Sequence, residues 1–172
     1  MPKLACRFVK IISMTAVATV RHLKVYNKQD VLSLTRLRRF ETKLGERIKV
    51  INNPEDLDHQ IATSDAKFVL FGVPEDLGAK GNYGIGGADT LWIPFLQSFL
   101  NVQSNDFLDG QEILLVGHFD FGDIQYLIDT TAKGEEEKIA AYRHAAFRRL
   151  SLSIELTDRT LIICEKSPGY YS

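Results

Sequence analysis

Three side chains able to carry chemistry lie close together at the end of the apolar run Glu112-Ile113-Leu114-Leu115-Val116-Gly117-His118: His118 itself, Asp120 and Asp123. A histidine and two carboxylates at a strand end are possible ligands for a divalent ion. In extended chain alternate residues share a face, so His118 and Asp120 can point together, whereas Gly122 turns the chain before Asp123. The structural alternative is the stronger one. In it Asp120 and Asp123 accept hydrogen bonds from backbone amides in an Asx-type turn, and His118 is packed or supports a site from behind. A second candidate is the glycine-rich stretch Gly81-Asn82-Tyr83-Gly84-Ile85-Gly86-Gly87. It lacks GxxxxGK[ST], and its glycines do not open a helix directly after a strand, so phosphate binding is disfavoured. Such glycines instead let the backbone approach a small polar ligand or a partner chain, with Glu75 and Asn82 as hydrogen-bonding side chains. The substrate-binding candidates are therefore Glu75, Asn82, Gly86 and Gly87, and replacing Asn82 or Gly86 is expected to leave folding intact. No spacing suggests a Ser-His-Asp arrangement, and His22, His59 and His144 read as isolated, exposed residues.

Both candidates need a sheet to position them. Residues 67–73, Lys67-Phe68-Val69-Leu70-Phe71-Gly72-Val73, form a continuous apolar run that reads as a strand buried on both faces, and residues 112–118 repeat the pattern. Strands of this kind belong to parallel sheets covered by helices. Between them lies a loop over residues 74–89, then helical spacing through Leu91, Trp92, Phe95, Leu96 and Phe99, with Pro94 in the first turn or at a kink. The strand, loop, helix and strand make one crossover unit, and ligands in such sheets bind beyond the carboxyl ends of the strands. Upstream, Val31, Leu32, Leu34, Leu37, Phe40 and Leu44 predict an amphipathic helix or pair of turns over residues 30–44. Residues 47–51 read as extended. Residues 55–63 form a short helix, with Asn53 as cap, Pro54 at the first position, and Leu57 and Ile61 inward. Residues 135–150 predict another helix, with Ile139, Tyr142, Ala146, Phe147 and Leu150 inward. An irregular tail follows, with one more strand at residues 160–164 and an unstructured end from Ser167.

At 172 residues the chain suits one domain with a substantial core. Its formal charge of −1 leaves no basic surplus for coating nucleic acid. Cys6 and Cys164 lie too far apart in the chain for a disulfide framework or metal knuckle, which fits a reducing cytoplasmic location. No stretch approaches the ~20 apolar residues that span a bilayer, so a membrane protein is excluded. Residues 1–22 carry Lys3, Arg7, Lys10 and Arg21 without an acid, and their Ile11-to-Ala18 run imitates a signal peptide. A poorly ordered leader is the plainer reading.

The segments Phe68-Val69-Leu70-Phe71-Gly72-Val73-Pro74-Glu75-Asp76-Leu77-Gly78, Gly84-Ile85-Gly86-Gly87-Ala88-Asp89 and Glu112 to Asp123 together resemble the amino-terminal part of the ureohydrolase (arginase and agmatinase) superfamily. Within it they are most similar to bacterial formimidoylglutamases, over residues 23–146. The resemblance implies a three-layer α/β/α fold with a mainly parallel, arginase-like sheet, here incomplete, usually assembled into oligomers. It implies two manganese ions whose bridging hydroxide attacks an amidine carbon, releasing glutamate and formamide in histidine breakdown. The family's ligands lie in Gly-Gly-x-His, Asp-x-His-x-Asp and later Asp-x-Asp segments, all downstream of the region matched here, and none of them follows it in this chain. Manganese is therefore expected in the full-length family and not on this chain, and His118, Asp120 and Asp123 are not assigned to metal. Three roles follow as expectations: an inactive amino-terminal fragment with a divergent tail at residues 147–172, explained by a truncation or frame change near Ala146; a noncatalytic ligand or partner module using the glycine loop; or a pseudoenzyme completed by a separately encoded carboxyl half.

Overall fold

The computed structural model describes residues 22–166, with the side chains at 149, 150, 153 and 159–166 left aside. The leader up to residue 21, both cysteine side chains and the end from residue 167 therefore lie outside the described residues. The chain is mixed α/β, built around one strand, β4 (Ile113–Phe119). β3 (Phe68–Gly72) runs parallel along one edge of β4. The other edge is shared end to end: β2 (Lys49–Val50) pairs parallel with Leu114 and Leu115, and β1 (Leu23–Val25) pairs antiparallel from Gly117 to Phe119. A strand has only two hydrogen-bonding edges, so these short partners must follow one another. Tyr26 N–H extends the β1 pairing by donating to Val116 O at 2.9 Å.

The register of β3 on β4 jumps between Leu70 and Phe71, which leaves Val116 as an extra residue in β4. A bulge of this kind reverses the alternation of faces beyond it. Ile113 and Leu115 pack with Tyr26, Val31, Leu96 and Leu100 on one face. Leu114, Val116 and Phe119 pack with Ile51, Leu57, Ile61 and Leu156 on the other. Helices α1 (Lys28–Leu34) and α5 (Trp92–Phe99) thus supply one cover, and α3 (Leu57–Thr63) and α7 (Glu135–Lys166) the opposite one. Gly117, at φ 151°, lets β1 come in close, because a Cβ there would overlap the Lys24 carbonyl oxygen. Among the described residues no helix is long and apolar enough to cross a membrane.

Local signals explain several boundaries. Asn27 and Asp30 form a reciprocal capping box at the start of α1, with bonds of 3.0 and 2.9 Å. Asn53 caps the Pro54–Asp56 turn that leads into α3, whose Leu57 and Ile61 are buried as expected. Pro94 sits in the first turn of α5, where its missing N–H costs nothing.

Other expectations are corrected. Of the helix or pair of turns expected over residues 30–44, helical structure ends at Leu34, and α2 (Leu44–Arg47) is a separate turn containing Gly45. Ser104 N–H donates to Thr42 O and Lys43 bridges Gln103, so residues 42–43 are drawn into extended pairing, and Leu37 and Phe40 are exposed. β3 is half-exposed rather than buried on both faces, because it lies at the edge of the sheet, with Phe68 at 59% exposure. The loop over residues 74–89 contains α4 (Leu77–Gly81), against which α7 packs through an Arg143 Nε bond to Gly81 O of 2.6 Å. A further helix, α6 (Gly122–Thr131), follows β4, and α7 continues to Lys166 in place of an irregular tail. Residues 160–164 are helical rather than a strand: β-branched side chains favour strands only where a sheet edge receives them, and Leu156 anchors this helix in the core. Phe147 is exposed, since at ~100° per residue it falls off the buried stripe of Ile139 and Tyr142.

Candidate functional site

The carboxyl ends of β3 and β4 meet at a cleft of about 180 Å³. Its walls include Glu75 and Asp76 after β3, Asp89 after the glycine loop, His118 and Asp120 at the end of β4, and Gln125 on α6. This is where an open parallel pair offers its strand-end loops.

Three of these carboxylates are built in the same way. Glu75 Oε1 accepts from Gly78 N–H at 2.7 Å, Asp76 Oδ2 from Gly87 N–H at 2.8 Å, and Asp120 Oδ1 from Gly122 N–H at 3.1 Å. One oxygen holds a backbone amide, in a tight turn for Glu75 and Asp120 and in the glycine loop for Asp76; the second is left without a hydrogen-bond partner among the described residues. For Asp76 this matters most. The residue is only 3% exposed, Lys80 Nζ lies 3.3 Å from its Oδ2, and Oδ1 is a buried side-chain atom with no hydrogen-bond partner. Buried polar atoms are rarely left so.

The glycine loop shapes this site without lining it. Gly86 and Gly87 have φ values of 81° and 110°, which other residues seldom adopt. A Cβ at Gly86 would overlap the Asp76 carboxylate and stand 2.8 Å from Lys80 Cε. Gly86 therefore departs from the expectation that its replacement leaves folding intact. Asn82 ends α4 and is exposed, away from the cleft. Asp123 also lies outside it, accepting from Ile124 N–H at 2.8 Å and standing 3.7 Å from His22 Nδ1 in a shallower groove with Leu23 and Lys24. The Asx-turn reading thus describes Asp120 well, while Asp123 bonds only the next amide. His22 is half-buried against Phe121 rather than exposed; His59 and His144 are exposed as expected.

His118 is held by a directional chain. Trp92 Nε1–H donates to Tyr26 Oη at 3.1 Å, and Tyr26 Oη lies 2.7 Å from His118 Nδ1. The indole can only donate, so the phenol accepts there, and turning its own O–H toward His118 Nδ1 gives each polar atom of the chain a partner. In that arrangement Nδ1 accepts and the neutral ring carries its proton on Nε2. Burial pushes the His118 pKa down, Lys24 adds to this, and Asp120 opposes it. Burial also raises the Tyr26 pKa, which keeps the phenol protonated. The arrangement places a neutral imidazole beside three carboxylates that backbone amides hold in place.

Sequence reasoning singled out Glu75, His118 and Asp120 but missed Asp76, Asp89, Tyr26 and Trp92. Asp76 carried a readable signal, an acid just beyond a strand end and next to a glycine-rich loop. Tyr26 and Trp92 carried none, since their polar atoms are brought to His118 only by tertiary packing. Among the described residues no group of three His, Cys, Asp or Glu side chains stands where it could hold a metal ion. With no three of these side chains converging, the described residues do not supply the ligands of a two-manganese centre. Comparison with family models, curated proteins and solved structures returned no match to the chain.

Proposed function

We propose that residues 23–146 are the amino-terminal scaffold of a formimidoylglutamase-like hydrolase, arranged as part of an arginase-like three-layer α/β/α fold, and that this chain does not hydrolyse amidines by itself. The supporting observation is that residues 75–76, 89 and 118–120, from the three segments that carry the resemblance, supply carboxylates to one cleft. An amidine is protonated near neutral pH, so a carboxylate-lined cleft suits its charged C–N group. This chain's part is to bind and orient; no step is assigned to a metal, because the donors present do not fit one.

The test has two arms. The purified chain, given manganese with formimidoylglutamate, arginine or agmatine in turn, is expected to show no turnover above a metal-free blank. A fusion continuing past Ala146 into the metal-ligand segments of a formimidoylglutamase is expected to hydrolyse formimidoylglutamate. Turnover by the chain alone, or a folded, manganese-loaded fusion that stays inactive, refutes the reading. The unpartnered Asp76 Oδ1 also favours a second reading, a noncatalytic module for a small ligand.

A further inference from the structure

We propose that the loops at residues 35–41 and 105–108 form a docking face for an anionic lipid surface, on which the chain lies without crossing it. The proposal rests on neither reading of the cleft.

A short antiparallel pairing carries both loops. Leu44 N–H donates to Val102 O and Ser104 N–H to Thr42 O, each at 2.9 Å, and Lys43 bridges Gln103 between them. In an antiparallel pair one chain enters at the end that the other leaves. Residues 35–41, which lead into Thr42, and residues 105–108, which follow Ser104, therefore project from the same end. Asn101 ties down the base of the first loop, its Oδ1 accepting from Arg36 N–H at 2.7 Å and its Nδ2 donating to Leu34 O at 2.9 Å. Asn105 folds the second loop by accepting from the amides of Phe107 and Leu108 at 2.9 and 3.0 Å.

The loops combine apolar tips with positive charge. Phe40 is 91% exposed and Phe107 fully exposed, and Leu37 is exposed among Arg36, Arg38 and Arg39. Phe40 has φ 68°, a left-handed conformation that bulky residues rarely take, and Arg39 lies over its ring at 4.8 Å. Arg36 and Arg39 have no ion-pair partner among the described residues, and Arg38 stands 3.9 Å from Glu41. Glu41 is already paired with Lys43, and Asp106 is the remaining acid of the two loops. Over residues 35–43 and 105–108 four cations thus stand with two carboxylates, which makes this face positive on a chain whose formal charge is −1.

An anionic bilayer surface answers both features. Rings that stand clear of the protein project rather than receive, so the partner has to take them in; the interfacial layer of a bilayer does so, and its negative charge meets the guanidiniums. Single-stranded RNA is the competing polyanion, but it stacks bases on aromatic faces along a basic groove. Here Arg39 already covers one ring, and Leu37 has no face for a base to stack on. The face also leaves the cleft open. Gly110, just before β4, sits so close to this pairing that a Cβ there would meet the Leu44 carbonyl and the Ile48 amide, which places the loops at the amino end of β4 and the cleft at the other.

The experiment floats the full chain with vesicles of phosphatidylcholine and phosphatidylserine at about two to one, and with phosphatidylcholine alone, in ~0.1 M salt. Binding to the neutral vesicles is expected to be weaker by about tenfold or more. Arg36→Gln and Arg39→Gln are each expected to lower binding to the anionic vesicles about fivefold, the share of one cation near a charged bilayer. Phe107→Ser is expected to lower it about tenfold, the loss of one inserted ring. Ile85→Ser, which removes a fully exposed apolar side chain from the glycine loop at the opposite end, is expected to leave it unchanged. The altered side chains are all exposed, so each variant keeps the wild-type circular dichroism. Residues 1–21 are also basic, and comparing loop variants within the full chain separates their share from that of this face. Equal binding to the two kinds of vesicle, loop variants that bind like wild type, or a matching loss in Ile85→Ser overturns the proposal. So does tighter binding of polyuridylate with the same arginine dependence, or self-association without lipid that Phe107→Ser abolishes.

Discussion

Replacing Tyr26 by phenylalanine removes one oxygen and tests the chain that sets His118. The ring keeps its place in the core, where Tyr26 is 4% exposed, so the apolar contribution is little changed. Two hydrogen bonds are lost, from Trp92 Nε1 and to His118 Nδ1, at ~1 kcal/mol net each. His118 Nδ1 is left half-buried without its donor, which adds ~1 kcal/mol. The expected loss is about 2–3 kcal/mol. With a urea slope of ~2 kcal/mol/M, the unfolding midpoint falls by ~1–1.5 M. Trp92 is the only tryptophan, so its fluorescence follows both the unfolding and the loss of its own bond. Nitrogen NMR gives the second readout: the wild-type ring is a single Nε2–H tautomer, and the variant becomes a mixture. A midpoint within ~0.3 M of wild type together with an unchanged Nε2–H tautomer refutes the directional chain.

His118 also predicts a pH dependence. Its folded pKa lies below the ordinary value of 6.5, so below pH 6.5 the unfolded chain takes up the proton first. Stability therefore falls as the pH drops through 6.5 and levels off once the folded ring protonates. Wild type should lose more stability than His118→Gln between pH 7.5 and 5.5 in urea melts, and parallel losses count against it. Gly117→Ala is expected to cost about 3 kcal/mol, because the new Cβ meets the Lys24 backbone and β1 must move, while Gly134→Ala, which meets nothing within 4 Å, stays within ~0.5 kcal/mol. Gly86→Ala should cost about 1–3 kcal/mol and speed hydrogen exchange at Gly87, whose amide Asp76 holds; unchanged exchange there would show that the loop does not depend on this contact.

Much of the framework was legible in the sequence because its signals are local. The apolar run of β4, the Asn53-Pro54 entry to α3 and the apolar stripe of α5 each follow from a few neighbouring residues. What was not legible depends on distant partners. β1 is three residues long and exists only because the end of β4 offers it an edge. Phe68 has the composition of a buried strand, yet its exposure is set by β3 lying at the edge of the sheet. The site divided along the same line. Asp120 and its turn could be read from Asp-x-Gly, but the bare oxygen of Asp76 depends on a loop folding back eleven residues later to use the other one.

The bulge at Val116 connects the core to the cleft. In a regular strand Phe119 would share a face with Ile113 and Leu115, and His118 would point with Leu114 and Val116 into the apolar cluster beneath α3 and α7. The extra residue exchanges them. Phe119 enters that cluster and is fully buried, while His118 turns to Tyr26 and Trp92 and reaches the cleft. The exchange requires β1 to lie close enough to carry Tyr26, and the approach is possible because residue 117 has no side chain. A single-residue irregularity and one glycine therefore decide whether the end of β4 presents an imidazole N–H or a phenyl ring to a ligand. Deleting Val116 removes the extra residue and leaves the parity beyond it as the bulge sets it, so a folded deletion variant should keep His118 on the Tyr26 face with an unchanged ring tautomer by nitrogen NMR; a changed tautomer in that variant refutes this account of how His118 is placed.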